Sequence, residues 1–325
     1  MSVKRPTHAV IGVLCLAAGA GIGHAQDYPT RPVRLVVPYA AGGGTDAIAR
    51  YLARGLEQRL GQPFIVENRP GQGTAIGGAY VAKAAPDGYT LLMATSSTVA
   101  ISPSVYKNLP YDPAKDFAPI ALVAAVPFVL IVHPALQVDK VEDLVRLAKA
   151  KPGALSYASA GAGAAHHVYM ELFKSMKDMD IKHVPYRGGG PALTDVVAGH
   201  VPMMFADAAQ ALQLIRNGRV KALAVSTAER IETLPGVPTM HEAGVTGYEA
   251  NAWQCVLAPA STAGTIVAKL NAALIDFMGT AEARRHFLDL GMKPLSSTPA
   301  ELGDYIRSEI RRWAAVVEAA GATAE

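Results

Sequence analysis

Short apolar runs alternate with amphipathic stretches along almost the whole chain, and no other feature restricts the fold as much. Val33 to Val37, Phe64 to Val66, Tyr89 to Ala94 and Ile120 to Val132 read as buried strands, as do Leu155 to Ala158, Ile181 to Val184, Met203 to Phe205, Val220 to Val225 and Trp253 to Ala258. Helices fill the intervals. Asp46 to Leu60 puts Ile48, Leu52, Leu56 and Leu60 on one stripe and stops at Gly61. Asp139 to Glu142 has the form of a capping box ahead of Leu144, Val145 and Ala148, and Pro152-Gly153 ends that helix. Pro191 suits a first helical position, with Gly199 as the stop. Thr298 to Glu301 caps a long C-terminal helix carrying Leu302, Ile306, Ile310, Trp313 and Val317. Strand and helix in alternation specify an α/β protein with right-handed crossovers.

Some nine strands in 325 residues point to two sheets and two domains. The Ile120–Val132 run, broken by Pro127, is placed to cross from one sheet to the other, and Trp253 to Ala258 to cross back. The expected first domain is discontinuous, 26–126 plus 253–325, and the second is 127–252, with a cleft between two linking strands. One large sheet is the alternative.

A strand–small-residue loop–helix pattern occurs once in each half: Val36 to Asp46, through Tyr39, Ala41, Gly42, Gly43, Gly44 and Thr45, and Tyr157 to His167, through Ser159, Ala160, Gly161, Gly163 and Ala164. Glycine lets backbone N–H groups approach a ligand, and a helix N-terminus supplies unpaired donors with a positive partial charge. Two such loops facing across a cleft would hold a small acid at both ends or clamp one carboxylate. The plainer reading is a pair of tight strand-to-helix turns.

The first 25 residues read as an export signal. Lys4 and Arg5 precede an apolar Ala9–Gly23 stretch, and Gly23-His24-Ala25 resembles a cleavage site, so cleavage is expected after Ala25 and the mature protein is expected to be exported. An N-terminal anchor helix is the alternative. Cleavage would lower the net charge from +3 to +1 and leave Cys255 as the lone cysteine, which excludes a disulfide scaffold. No Lys/Arg block is present to neutralise phosphates, so nucleic acid is not an expected partner.

Enzyme signatures are missing: no G-x-S-x-G elbow, no HExxH, no phosphate-binding G-x-x-x-x-G-K-[ST] loop. Gly71 to Gly77 approaches a dinucleotide fingerprint, but its last gap is one residue too long, and it reads as a turn and helix start. Adjacent His166 and His167 point about 100° apart on a helix and cannot form an i, i+4 metal pair. No metal or cofactor is expected. His167 either faces a ligand or braces its loop. Asp46 either offsets the helix dipole or contacts ligand, and Asp207 either caps a helix or holds a ligand amine or hydroxyl. Arg187 either meets an anion or forms a surface ion pair. Thr95, Ser96 and Ser97 end the third strand, where open α/β sheets bind ligands, and could equally cap a helix.

Seven segments, in order over nearly the whole mature chain, resemble the Bug family, the periplasmic receptors of tripartite tricarboxylate transporters. They are Tyr28 to Val33, Val37 to Asp46, Val66 to Gly71, Ala85 to Leu91, His183 to Ala192, Ile215 to Val225 and Leu234 to Thr239. The resemblance implies a two-domain type II periplasmic binding protein (Venus flytrap) that takes a small organic acid, a dicarboxylate, an aromatic acid or an acidic amino acid. It also implies that backbone amides of the loops Tyr39–Asp46 and Ser159–His167 hold a carboxylate, with Thr95 to Ser97 and the region of Asp207 lining the variable end. Ala164 and Ala165 stand where the family commonly has Ser or Thr, which makes the distal site less polar and suits an aromatic or longer aliphatic acid.

The expected function is therefore solute capture without catalysis, for a membrane transporter or for signalling, by a monomer. The rival is a secreted α/β enzyme acting on a small acid, with His167 as general base oriented by Asp207, which requires the two within hydrogen-bond reach.

Overall fold

A computed structural model describes residues 1–3 and 28–322; the expected export signal and its cleavage site at Ala25 lie outside the described residues apart from the first three positions. The first sheet is built from β1 (Val33–Val37), β2 (Phe64–Asn68), β3 (Thr90–Thr95), β4 (Phe117–Val126), β10 (Ala252–Pro259) and β11 (Lys293–Pro294), in the order β11-β4-β10-β3-β1-β2. The trio β2-β1-β3 is parallel, and β10 runs antiparallel to both β3 and β4. The second layer contains β5 (Phe128–Val132), β8 (Met203–Asp207) and β9 (Lys221–Val225), antiparallel in the order β8-β5-β9. The parallel pair β6 (Ser156–Ser159) and β7 (Lys182–Pro185) lies beside it through β6 and β8.

The apolar Ile120–Val132 run is not one strand. It is divided at Pro127 into β4 and β5, which belong to different sheets. Proline has no N–H to extend a ladder, and its carbonyl instead accepts from Ala208 N–H. Val126 pairs with Ala252 on one side of the break, and Phe128 pairs with Asp207 on the other. The chain returns beside this point: Phe128 exchanges bonds with Ser226, and Ala250 N–H donates to Ser226 O. The layers are thus joined at two neighbouring crossings, at Pro127 and through the segment 226–251. Trp253 to Ala258 does not cross back, because β10 pairs, among the described residues, only with β3 and β4, and the single large sheet does not form.

Helices cover both layers. In α1 (Gly44–Leu60) the stripe of Ile48, Leu52 and Leu56 is buried, and Gly61 closes the helix with φ 71°. Gly55 sits inside this helix because a Cβ there would lie 2.6 Å from the Phe277 ring of α8 (Gly264–Met278). Between them come α2 (Ala75–Ala82), a π-helical turn Ser97–Ile101 running into α3 (Ser102–Val105), α4 (Val141–Ala150), α5 (Ala165–Lys177), α6 (Gly189–Val197) and α7 (Ala208–Arg216). After α8 follow α9 (Ala281–Asp289) and α10 (Pro299–Ala320). Several starts differ from expectation. α4 begins after Lys140, and Asp143 rather than Glu142 accepts from the Lys140 and Asp139 N–H groups. α1 starts at Gly44, ahead of Asp46, and α6 at Gly189, ahead of Pro191. The Thr298–Glu301 capping box forms reciprocally.

α10 reaches beyond the first sheet. It packs on β4 and on α5, where Trp313 stacks on Tyr169 at 5.4 Å. Buried Glu309 accepts from Trp253 Nε1 at 2.9 Å and Trp313 Nε1 at 3.1 Å, fastening the returning strand β10 to the helix. In the second layer, the His167 ring stacks on His183 at 4.2 Å, and Ser159 Oγ bonds His183 Nε2 at 2.6 Å. Burial, reinforced by the Lys174 cation, lowers His167 to about 4. Burial followed by the neighbouring His167 lowers His183 to about 3, with Glu171 opposing.

Two outcomes are expected. Glu309→Ala leaves two buried indole donors unpaired and costs about 3 kcal/mol in denaturant-unfolding free energy; an unchanged midpoint contradicts the fastening role. Both histidines are neutral when folded and titrate near 6.5 when unfolded, so the unfolded state binds more protons between these values. Stability is full above pH ~6.5 and falls as pH drops toward about 4, by up to about 1.4 kcal/mol per pH unit for each ring. A flat unfolding midpoint from pH 7 to 4.5 contradicts this.

Candidate functional site

The N-termini of α1, α5 and α6 open on one cavity between the two layers. Their N-cap residues are Gly43, Ala164 and Gly188, none of which bonds the helix end through a side chain. By contrast, Thr280 and Thr298 cap α9 and α10. The first intrahelical bond in α1 is Ala47 N–H to Gly43 O, so the Gly44, Thr45 and Asp46 N–H groups have no partner within the helix. Uncapped helix ends pointing into a cavity favour an anion, because the free N–H groups and the peptide dipoles act together.

Cavity walls come from both layers: Tyr39, Gly43, Gly44, Thr45, Thr95, Ser96 and Ser97 from the first, and Ala165, His166, Gly189, Asp207 and Gln210 from the second. The strands β4, β5 and β10 form the remaining wall with Val126, Phe128, Ala252, Trp253 and Gln254. No Lys or Arg is among them. The water-accessible space is about 30 Å³, room for a water or two, so an organic acid enters only if the layers part. Ser97 Oγ accepts from Ala165 N–H at 2.8 Å across the cavity. Three buried polar atoms on the walls have no partner among the described residues: Ser96 Oγ, His166 Nδ1 and Gln254 Oε1. Unpaired buried polar groups of this kind are costly unless something else satisfies them. Burial pushes the Tyr39 phenol up to about 12, so it stays a neutral hydrogen-bonding group, beside Thr95 Oγ1 at 3.2 Å.

Of the residues singled out in the sequence, Tyr39, Gly43, Gly44, Thr45, Thr95, Ser96, Ser97 and Asp207 line this cavity. The others lie around it. Asp46 turns inward: its carboxylate accepts from Gly42 N–H, Arg50 and Asn68. Burial alone would raise its pKa, but those bonds outweigh burial and hold it below the usual range. Ala41 and Gly42 line an outer groove toward α6 and α7. Ala160 and Gly161 line a separate cavity with Gly73, Tyr106, Tyr186 and Arg187. Ser159 Oγ accepts from Gly161 N–H, and Gly163 N–H donates to His167 Nδ1, so Ser159 and His167 brace the second loop, which ends at the Ala164 N-cap. That loop touches the opposite layer: Tyr106 OH donates to Ala162 O, and a Cβ on Gly73 would lie 1.9 Å from the same oxygen. The Gly71–Gly77 segment is a turn, Gln72–Thr74, and the start of α2.

The pairing required of an enzyme, His167 with Asp207, does not form. The partner of Asp207 is His166, with Nε2 to Oδ2 at 3.2 Å. Among the described residues, no group of three or more His, Cys, Asp or Glu is placed to hold a metal. Sequence reasoning passed over His166, Gly189 and Gln254. The Gly188–Gly190 run and a lone glutamine inside an apolar strand were signals available for two of them.

A family model described as the tripartite tricarboxylate transporter family receptor matches residues 48–322. The protein BugT of Bordetella pertussis is 38% identical over 316 residues, 97% of each chain. The solved structure of R. palustris Rpa4515 with adipate superposes with a TM-score of 0.89 at 38% identity, covering 91% of this chain and 99% of that one. MatC (Rpa3494) from Rhodopseudomonas palustris with bound malate gives 0.86 at 34% identity, covering 89% and 100%. With two layers joined at neighbouring crossings and a cavity between them, the chain has the two-domain periplasmic binding protein fold and belongs to the tripartite tricarboxylate transporter receptors of the Bug type.

Proposed function

We propose that this protein captures a small organic acid in the cavity between its domains and delivers it without catalysis. The observation that carries the reading is the convergence on one enclosed space of three helix N-termini, from both domains, whose own N-cap residues make no side-chain cap. A carboxylate there replaces the missing caps. Adipate and malate, named with two of the similar solved structures, agree with an organic acid as ligand. The contacting residues are Gly43, Gly44, Thr45 and Tyr39 from one domain, His166, Gly189 and Asp207 from the other, with Thr95, Ser96 and Gln254 beside them.

The domain division follows the change of sheet at Pro127 and the return at Ala252: 26–126 plus 253–325, and 127–252. Ligand enters when the domains part at these two crossings, and greater affinity for the closed form drives closure. The mature protein, cleaved after Ala25, works in the periplasm as a monomer, with no cofactor. Its closed form docks on membrane transporter subunits or serves signalling.

A thermal-shift panel of organic acids and their amides tests the reading. Binding only to the folded state adds about 2.7 kcal/mol at hundredfold excess over Kd. An acid is expected to raise Tm where its amide does not; equal shifts for acid and amide, or turnover of an acid by the pure protein, contradict it. Gly44→Leu provides a second test. A Cβ at Gly44 already lies 3.2 Å from Gln210 Nε2 and 3.4 Å from Asp207 Oδ1. The larger side chain is accommodated only with the cleft open, so affinity should fall at least ~100-fold with the fold intact. Wild-type affinity contradicts it.

A further inference from the structure

The cavity carries an acid of its own. Asp207 ends β8, its side chain is only 9% exposed, and no Lys or Arg lines the space to neutralise it. Its two hydrogen bonds, from His166 Nε2 and from Gln210 Nε2 at 2.9 Å, both go to Oδ2. Oδ1 accepts none among the described residues and faces Gly44, the first residue of α1, across the cleft. An unpaired atom of the same cavity is biased the same way. Gln254 Nε2 donates to Thr45 Oγ1, which leaves Oε1 as a bare acceptor. His166 Nδ1, the ring nitrogen turned away from Asp207, has no partner among the described residues. The cavity therefore holds two separate needs. The helix ends want an acceptor, and Asp207 Oδ1 and Gln254 Oε1 want donors.

We propose that the ligand is a zwitterion: a carboxylic acid whose other polar end is an ammonium group, held by Asp207. This rests on the reading of the cleft as a carboxylate site and narrows it. An ammonium group has three donors and a charge opposite to that of Asp207, which suits the acceptor-rich wall. The second carboxylate of a dicarboxylate would meet the Asp207 side chain in a space with little water and no Lys or Arg, where like charges repel strongly. Phe128, Trp253 and Val126 supply the apolar wall for the carbon chain between the two ends. Trp253 is held in place through Glu309, and the Phe128 ring stands edge-on to His166 at 4.9 Å.

Titration calorimetry of the mature protein tests this with matched series of three to six carbons: the n-alkanoate, its amide, the 2-amino and ω-amino acids, the ω-hydroxy acid and the dicarboxylate. The expected result is that an amino acid binds at least ~10-fold tighter than the alkanoate and the dicarboxylate of the same length. Asp207→Asn, close to isosteric, should erase that margin and improve dicarboxylate binding. A dicarboxylate or plain alkanoate that matches the amino acids overturns the proposal while leaving the carboxylate site standing. If no acid outbinds its amide, the carboxylate reading fails and takes this proposal with it. The wild-type series decides the matter even if the variant does not fold.

Discussion

The structure turns on helix ends that their own sequence leaves unfinished. Each of α1, α5 and α6 starts at a glycine or alanine N-cap, a choice that forgoes about 1 kcal/mol of side-chain capping at Ala164 and a few tenths at Gly43 and Gly188. Threonine side chains cap α9 and α10, whereas α2 and α8 also start without a side-chain cap; what sets α1, α5 and α6 apart is that their ends meet at one cavity. Small residues at these starts also bring the walls together: a Cβ at Gly44 or Gly189 would press on Asp207, Gln210 or His166. The result is an enclosed space whose donors are backbone groups, fixed in direction by the helices that carry them.

Much of the framework is legible in the residues because each strand is a short apolar run and each helix has a stripe. Pro127 marked the change of sheet within an otherwise continuous apolar stretch, since a residue without an N–H interrupts a ladder. Boundaries were less legible. α4 starts one residue later than its capping pattern suggests, because Asp143, not Glu142, reaches back to the free N–H groups. β11 is two residues long and pairs only with β4, leaving no periodic signal to read. The bridging role of α10 depends on tertiary packing: its stripe does not say that Trp313 meets Tyr169 of the other domain.

The site was legible as a type of chemistry more than as a set of atoms. Both glycine-rich loops precede helices whose ends face the cavity, but in the second loop the glycines serve a different contact. Gly161 lies toward Gly73 and Tyr186 in an outer cavity, and the central space sees only Ala165 and His166, one turn further on. Sequence alone does not separate His166 from His167. Neighbours on a helix point in different directions, and which one faces inward depends on how α5 is rotated against β6 and β8. In the structure His166 reaches Asp207, while His167 stacks on His183 and holds Gly163. Asp207 is the converse case. It occupies an N-cap position, as a capping role requires, yet its side chain makes no cap bond and points at the cavity.

On the proposed reading, domain closure and ligand capture are one event, because the donors for a single carboxylate are divided between two domains. The most direct measurement is amide ¹H–¹⁵N NMR of the mature protein titrated with an organic acid that raises its melting temperature. The account predicts that the amides of Gly43 to Thr45, of His166 and of Gly189 shift downfield together, at one ligand concentration. Shifts confined to one domain, or shifts in none of these amides, would contradict it.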